Sequence, residues 1–188
     1  DAVGTTVEFR SRGHFEPVTD MRGGGPFRLE PGQWTDDTSM ALCLAESLLV
    51  VGGFDARDQM TRYLNWWHHG YLSSTGSCFD IGLTVRSALE RFQRTRDPFA
   101  GSTDPETAGN GALMRLAPVV LFFHPAREQA LHFAVESSRT THAAGEALDC
   151  ARLLAHVLFA ALEGESKEAI LDASSLPIVS SKVAAIAA

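Results

Sequence analysis

Positive charge is scarce in this chain. Its 16 lysines and arginines face 23 aspartates and glutamates, for a formal net charge of −7 over 188 residues. That balance argues against a general nucleic-acid or membrane-surface role, while leaving room for a local basic patch. Long apolar runs are missing as well, and none reaches the roughly 18 residues that a membrane span needs. Cysteine is limited to Cys43, Cys78 and Cys150, widely spaced and without a CxxC pair. Reduced thiols in a cytoplasmic protein are the simplest reading. No signal peptide is visible, but the chain starts at Asp1 without a methionine, so its natural start is expected to lie upstream. Runs of alternating β-branched residues, internal repeats and low-complexity tracts are also absent. What remains is 45% hydrophobic and 21% charged, an ordinary globular composition. The length suits one domain over residues 1–188, or part of a larger one.

The apolar residues that are present keep the helical period. Met40, Leu42, Cys43, Leu44, Ala45, Leu48 and Leu49 form a broad face that ends at Gly52-Gly53. Asp55 opens a second helix through Met60, Tyr63, Leu64 and Trp67, closed by Gly70. Asp80 opens a third, with Ile81, Leu83, Val85, Ala88, Leu89 and Phe92. Ala112 to Phe123 is nearly all apolar and is placed in the core as a fourth, with Pro118 kinking it or marking its first turn. Pro125 opens a fifth, His142 to Leu162 is a long sixth, and Ser166 with Glu168 begins a short seventh. The expected class is all-α, with long loops at 10–33 and 97–110, and loops of that length are often functional.

The stretch QWTDDTSM (33–40) sets two acids between threonines at the start of the first helix. One Asp satisfies a helix N-terminus, so a second acid and two hydroxyls exceed that need. Carboxylate and hydroxyl oxygens suit Mg²⁺ or Mn²⁺ rather than zinc. Taken alone, capping remains the commoner role for such acids.

Three further stretches bear on this choice. DAVGTTVEF (1–9) carries an acid, a glycine and a second acid. AGNGALMRLAPV (108–119) places a glycine-flanked Asn before an apolar helix. SSRTTHAAGEALDCA (137–151) sets a histidine before another. In this order, with QWTDDTSM, they resemble the ADP-ribosylglycohydrolase family, and within it the dinitrogenase-reductase-activating branch. The resemblance runs over nearly the whole chain.

That resemblance implies a compact multi-helix fold, a binuclear Mg²⁺ or Mn²⁺ site and cleavage of a glycosidic ADP-ribose linkage. Thr35, Asp36 and Asp37 would ligate metal. Glu8 would match the catalytic glutamate, and Asp36 and Asp80 would stand with it at the reacting centre. Gly109, Asn110 and Gly111 would face ADP-ribose, with His142 near its phosphates. Asp80, in FDIGLT, would lie close to the leaving group and accept an arginine guanidinium. The substrate would be an ADP-ribosylated protein, with arginine the leading linkage, or a small ADP-ribose conjugate. The family's second ligand set, a DxDT-type segment near the C-terminus, has no counterpart before the chain stops at KVAAIAA. The expectation is therefore a C-terminally truncated chain with an incomplete metal shell, and apolar surface that favours self-association. An inactive helical module that binds ADP-ribose or a protein is the alternative.

Each residue also has a plainer role. Glu8 can be a surface acid, Asp80 a helix cap, Asn110 a cap between turn glycines, and His142 a partly buried cap. Gly23-Gly24-Gly25-Pro26 lacks the lysine of a P-loop and reads as a turn. Trp66-Trp67-His68-His69 reads as helix core and surface, not a ligand set. Arg10, Arg12, Arg22 and Arg28 give loop 10–33 a local positive bias, which serves either an anionic ligand or solvation.

Overall fold

A computed structural model describes residues 1–187. It is all-α, and no strand forms among the described residues. Eight α-helices follow in order: α1 Asp36–Val51, α2 Ala56–His69, α3 Leu83–Thr95, α4 Ala117–Phe123, α5 Arg127–Arg139, α6 Gly145–Leu162, α7 Lys167–Leu171 and α8 Ser181–Ala187. No described helix is long and apolar enough to cross a membrane.

The short α4 is the hub. Val119 and Val120 are fully buried there, and the helix packs on α1, α5 and α6. Around it, α1 contributes Met40, Leu44 and Leu48, α2 contributes Met60, Tyr63 and Trp66, and α3 contributes Val85, Leu89 and Phe92. Burying each of these large side chains is worth about 2 kcal/mol. The helices α5 and α6 approach through alanines four residues apart, Ala130 and Ala134 against Ala151 and Ala155, which bring the two backbones together.

Boundaries differ from the sequence reading at three places, each with a local cause. Residues 110–116 form turns, so the fourth helix begins only at Ala117, with Pro118 in its first turn. The third helix begins at Leu83, because Asp80 holds a left-handed backbone (φ 58°) and cannot open it. The sixth begins at Gly145, and His142 stands three residues before it. The histidine is therefore not that helix's cap. Trp66 is buried while His68 and His69 are exposed, as the sequence suggested.

Two helix starts show opposite solutions to one problem. At α2, Asp55 accepts from the backbone N–H groups of Arg57 and Asp58 at 2.8 and 2.9 Å, a local cap worth about 1 kcal/mol. At α1, the preceding Thr35 makes no side-chain cap. The cap comes instead from Asp1. Its carboxylate accepts from Thr35 N at 3.0 Å, Thr35 Oγ1 at 3.1 Å, Thr38 N at 3.2 Å and Thr38 Oγ1 at 2.7 Å.

Candidate active site

Because Asp1 closes α1, neither Asp36 nor Asp37 is needed to do so. Both belong to the first turn, and Thr35 and Asp36 are buried. Glu8 arrives on the 3₁₀ turn Thr5–Val7, where Thr5 Oγ1 donates to its carboxylate at 3.3 Å. That turn is held by residues 23–29. Gly24 and Leu29 pair as an isolated bridge, and Thr6 Oγ1 donates to the Gly23 carbonyl at 2.7 Å. Gly25 is required here, since at φ +68° a Cβ would lie 2.6 Å from the Thr5 carbonyl oxygen. The glycine run is thus a clamp on the Glu8 turn. Asp80 reaches the same place from the loop before α3.

The four carboxylates Glu8, Asp36, Asp37 and Asp80 are electrostatic neighbours. Burial, then the charges of Asp80 and Asp37, push Asp36 up to about 7. Burial, then Glu8 and Asp37, push Asp80 up to about 6. Asp37 is also raised, chiefly by burial, with the charge of Glu8 adding to it. None of the ion pairs among the described residues uses any of the four. Glu8, Asp37, Thr35 and Asp1 line a cleft of about 410 Å³, together with Arg10 and Arg12. The last two put part of the basic loop at the cleft rim.

The second group assembles next to this one. His142 packs on the glycine-flanked loop: a Cβ on Gly111 would meet its Cε1 at 2.9 Å, and one on Gly109 would meet its Nε2 at 3.6 Å. Thr141 Oγ1 lies 2.8 Å from its Nδ1. Burial, helped by the charge of Arg115, pulls His142 down to about 3, so the ring is neutral near pH 7. It can offer hydrogen bonds there, not a positive charge. Gly109 and Asn110 line a separate hollow of about 220 Å³.

Arg115 links the two groups, and the sequence reading assigned it no role. It is fully buried, with its guanidinium 4.6 Å from the Tyr63 ring centroid and Nη2 2.5 Å from Thr141 Oγ1. Its Nε has no partner among the described residues, and no carboxylate pairs with it. The charge of Asp36 bears on it, and Arg115 in turn bears on His142. A lone cation inside the apolar run 112–123 was the available signal. Asp1 was also in view, in DAVGTTVEF, but a cap acting across 34 residues leaves no local pattern.

The residues at the mouth of α1 have the donor chemistry of a hard-cation site: carboxylate and hydroxyl oxygens without a neutralising partner. They supply only part of a shell. Among the described residues, no three His, Cys, Asp or Glu converge as a metal-binding group.

A family model described as ADP-ribosylglycohydrolase matches residues 1–186. The chain belongs to the ADP-ribosylglycohydrolase family. It is 48% identical over 171 residues to ADP-ribosylarginine hydrolase Tri1 of Pseudomonas putida, covering 91% of this chain and 46% of that protein. It is 43% identical over 178 residues to the Tri1 hydrolase of Serratia proteamaculans, covering 95% and 48%. An ADP-ribosyl-[dinitrogen reductase] glycohydrolase of Rhodospirillum rubrum shares 36% over 148 residues, covering 76% and 47%. A solved ADP-ribosylglycohydrolase-related protein complex superposes with a TM-score of 0.77 at 50% identity, covering 92% of this chain and 55% of that one. This ADP-ribosylglycohydrolase chain thus spans about half the length of the curated relatives it matches.

Proposed function

We propose that this protein hydrolyses the glycosidic bond of ADP-ribosylated substrates, with arginine-linked ADP-ribose as the leading class. The observation that carries the reading is the set of four carboxylates gathered at the start of α1, none of them in an ion pair among the described residues. The names of the Pseudomonas and Serratia relatives support the arginine linkage.

Thr35, Asp36 and Asp37 would hold Mg²⁺ or Mn²⁺. Such an ion, when bound, fixes ribose hydroxyls and lowers the pKa of water. Cleavage builds positive charge on the ribosyl ring. Glu8 would take the proton of the attacking water or stabilise that charge. Asp80 would hold the departing guanidinium in its plane. The backbone N–H groups of residues 109–111 and the neutral His142 supply donors for a pyrophosphate. Exposed Leu49, Val50 and Leu121 support self-association.

A second reading, a metal-independent module that binds ADP-ribose or a protein, is favoured by the missing convergence of three ligating side chains. Calorimetry with ADP-ribose separates the two. Binding that requires Mn²⁺ and is lost in Asp36→Asn supports the hydrolase. Equal binding with and without metal supports the module. Turnover of an ADP-ribosylated arginine peptide then tests catalysis, and a protein that binds Mn²⁺ and ADP-ribose yet leaves the peptide intact overturns the hydrolase reading.

A further inference from the structure

Three phenylalanines run beside the acid cluster. Phe9 meets Phe27 edge-on, with ring centroids 6.3 Å apart. Phe27 in turn leans on Phe79 at 5.4 Å. The strip is interleaved with the acids, since Glu8 precedes Phe9 and Asp80 follows Phe79. Phe9 and Asp80 both hold left-handed backbones, at φ 63° and 58°. For a bulky aromatic that conformation is uncommon. The outcome is a Phe9 ring 78% exposed at the edge of the cleft that holds Glu8 and Asp37.

We propose that Phe9, Phe27 and Phe79 form the wall that receives the guanidinium of the arginine carrying ADP-ribose. The inference rests on the hydrolase reading above. A guanidinium is planar and weakly hydrated, so it stacks its face on an aromatic ring while its edge donates to carboxylates. The strip offers both surfaces within one site. The carboxylates beside it have no ion pair among the described residues. No arginine stacks on this strip among the described residues, whose cation–π contacts are Arg86 on Trp67, Arg115 on Tyr63, Arg127 on Phe159 and Arg139 on Phe99. An adenine would stack equally well, with its pyrophosphate between the acids and the rim residues Arg10 and Arg12, so adenosine is titrated as the competing ligand. A lysine ammonium lacks the plane and holds its water more tightly.

The test titrates Nα-acetyl-arginine methylamide, its lysine counterpart and adenosine into protein with ring-labelled phenylalanine, followed by NMR. The arginine compound should shift the Phe9 and Phe27 rings and bind about fivefold or more tightly than the lysine compound. Phe9→Ala and the milder Phe9→Leu should each weaken it by about fivefold, as a lost exposed stacking contact predicts. Mn²⁺ binding should be unchanged in both variants. Equal affinity for arginine and lysine, an unchanged arginine affinity in the variants, or ring shifts given by adenosine alone would overturn the inference. Mn²⁺ binding without arginine binding defeats only the strip, whereas loss of Mn²⁺ and ADP-ribose binding in the parent protein defeats the functional reading as well.

Discussion

Lowering the pH should remove the stabilising contribution of one side chain, His142. The ring is 3% exposed, wedged against Gly111 and Thr141, and its folded pKa of about 3 lies far below its ordinary 6.5. A group whose folded pKa is depressed gives stability that is present above the unfolded value and lost as pH falls toward the folded one. The window is therefore pH 6.5 to 3. At pH 4 an unfolded imidazole is almost fully protonated, while the buried ring is still mostly neutral. Linkage then gives a loss of about 3 kcal/mol relative to pH 8. Asp36 and Asp80 act the other way, because their folded pKa values are raised, to about 7 and about 6. They gain stability as pH falls through those values. Comparison with His142→Asn removes them, since both proteins carry both acids. Urea unfolding at pH 8, 6, 5 and 4 should show the stability gap between parent and variant closing by about 3 kcal/mol toward pH 4. A gap that stays constant across that range would show that the ring either takes its proton in place or is not buried, and the argument for a neutral donor beside residues 109–111 would fall.

Three other outcomes are expected. Asp1→Ala removes the acceptor of four hydrogen bonds at the start of α1 and should cost about 1 to 2 kcal/mol in urea unfolding; a variant as stable as the parent would mean that α1 is closed by other groups. Gly111→Ala drives a Cβ to within 2.9 Å of the His142 ring and should destabilise by about 1 to 3 kcal/mol while weakening ADP-ribose binding in calorimetry; unchanged values in both would show a yielding loop. Asp36→Asn should abolish most of the rise in melting temperature that Mn²⁺ gives the parent, and an undiminished rise would place the ion elsewhere.

Much of the helical scaffold was legible because it rests on local signals. Gly52 and Gly70 close their helices in the left-handed conformation, and Asp55 caps the next one through its own neighbours. The errors fell where tertiary contact overrides the local pattern. Ala112 to Leu116 is apolar enough for a helix, but it carries Arg115 into the interior between Tyr63 and Thr141, and the chain turns there instead. Asp80 looks like a cap in sequence, yet its backbone turns the carboxylate toward Glu8. The candidate site residues were named by type and order through family resemblance, and the fold brings the carboxylates of Glu8, Asp36, Asp37 and Asp80 together. The separation of the candidate residues into an acid cleft and a Gly109–Asn110 hollow was not legible, because no spacing along the chain records which loops meet. The Phe9–Phe27–Phe79 contact was hidden for the same reason.

The bond between Asp1 and the threonines of α1 has a practical consequence. The apolar interior gathers Met40, Tyr63, Leu89 and Val119 without any help from the first nine residues. Glu8 is held differently, through the hydrogen bonds of Asp1 to Thr35 and Thr38 and of Thr6 to Gly23. A substitution in the interior and one at that junction therefore call for different readouts: helix content for the first, a probe beside Glu8 for the second.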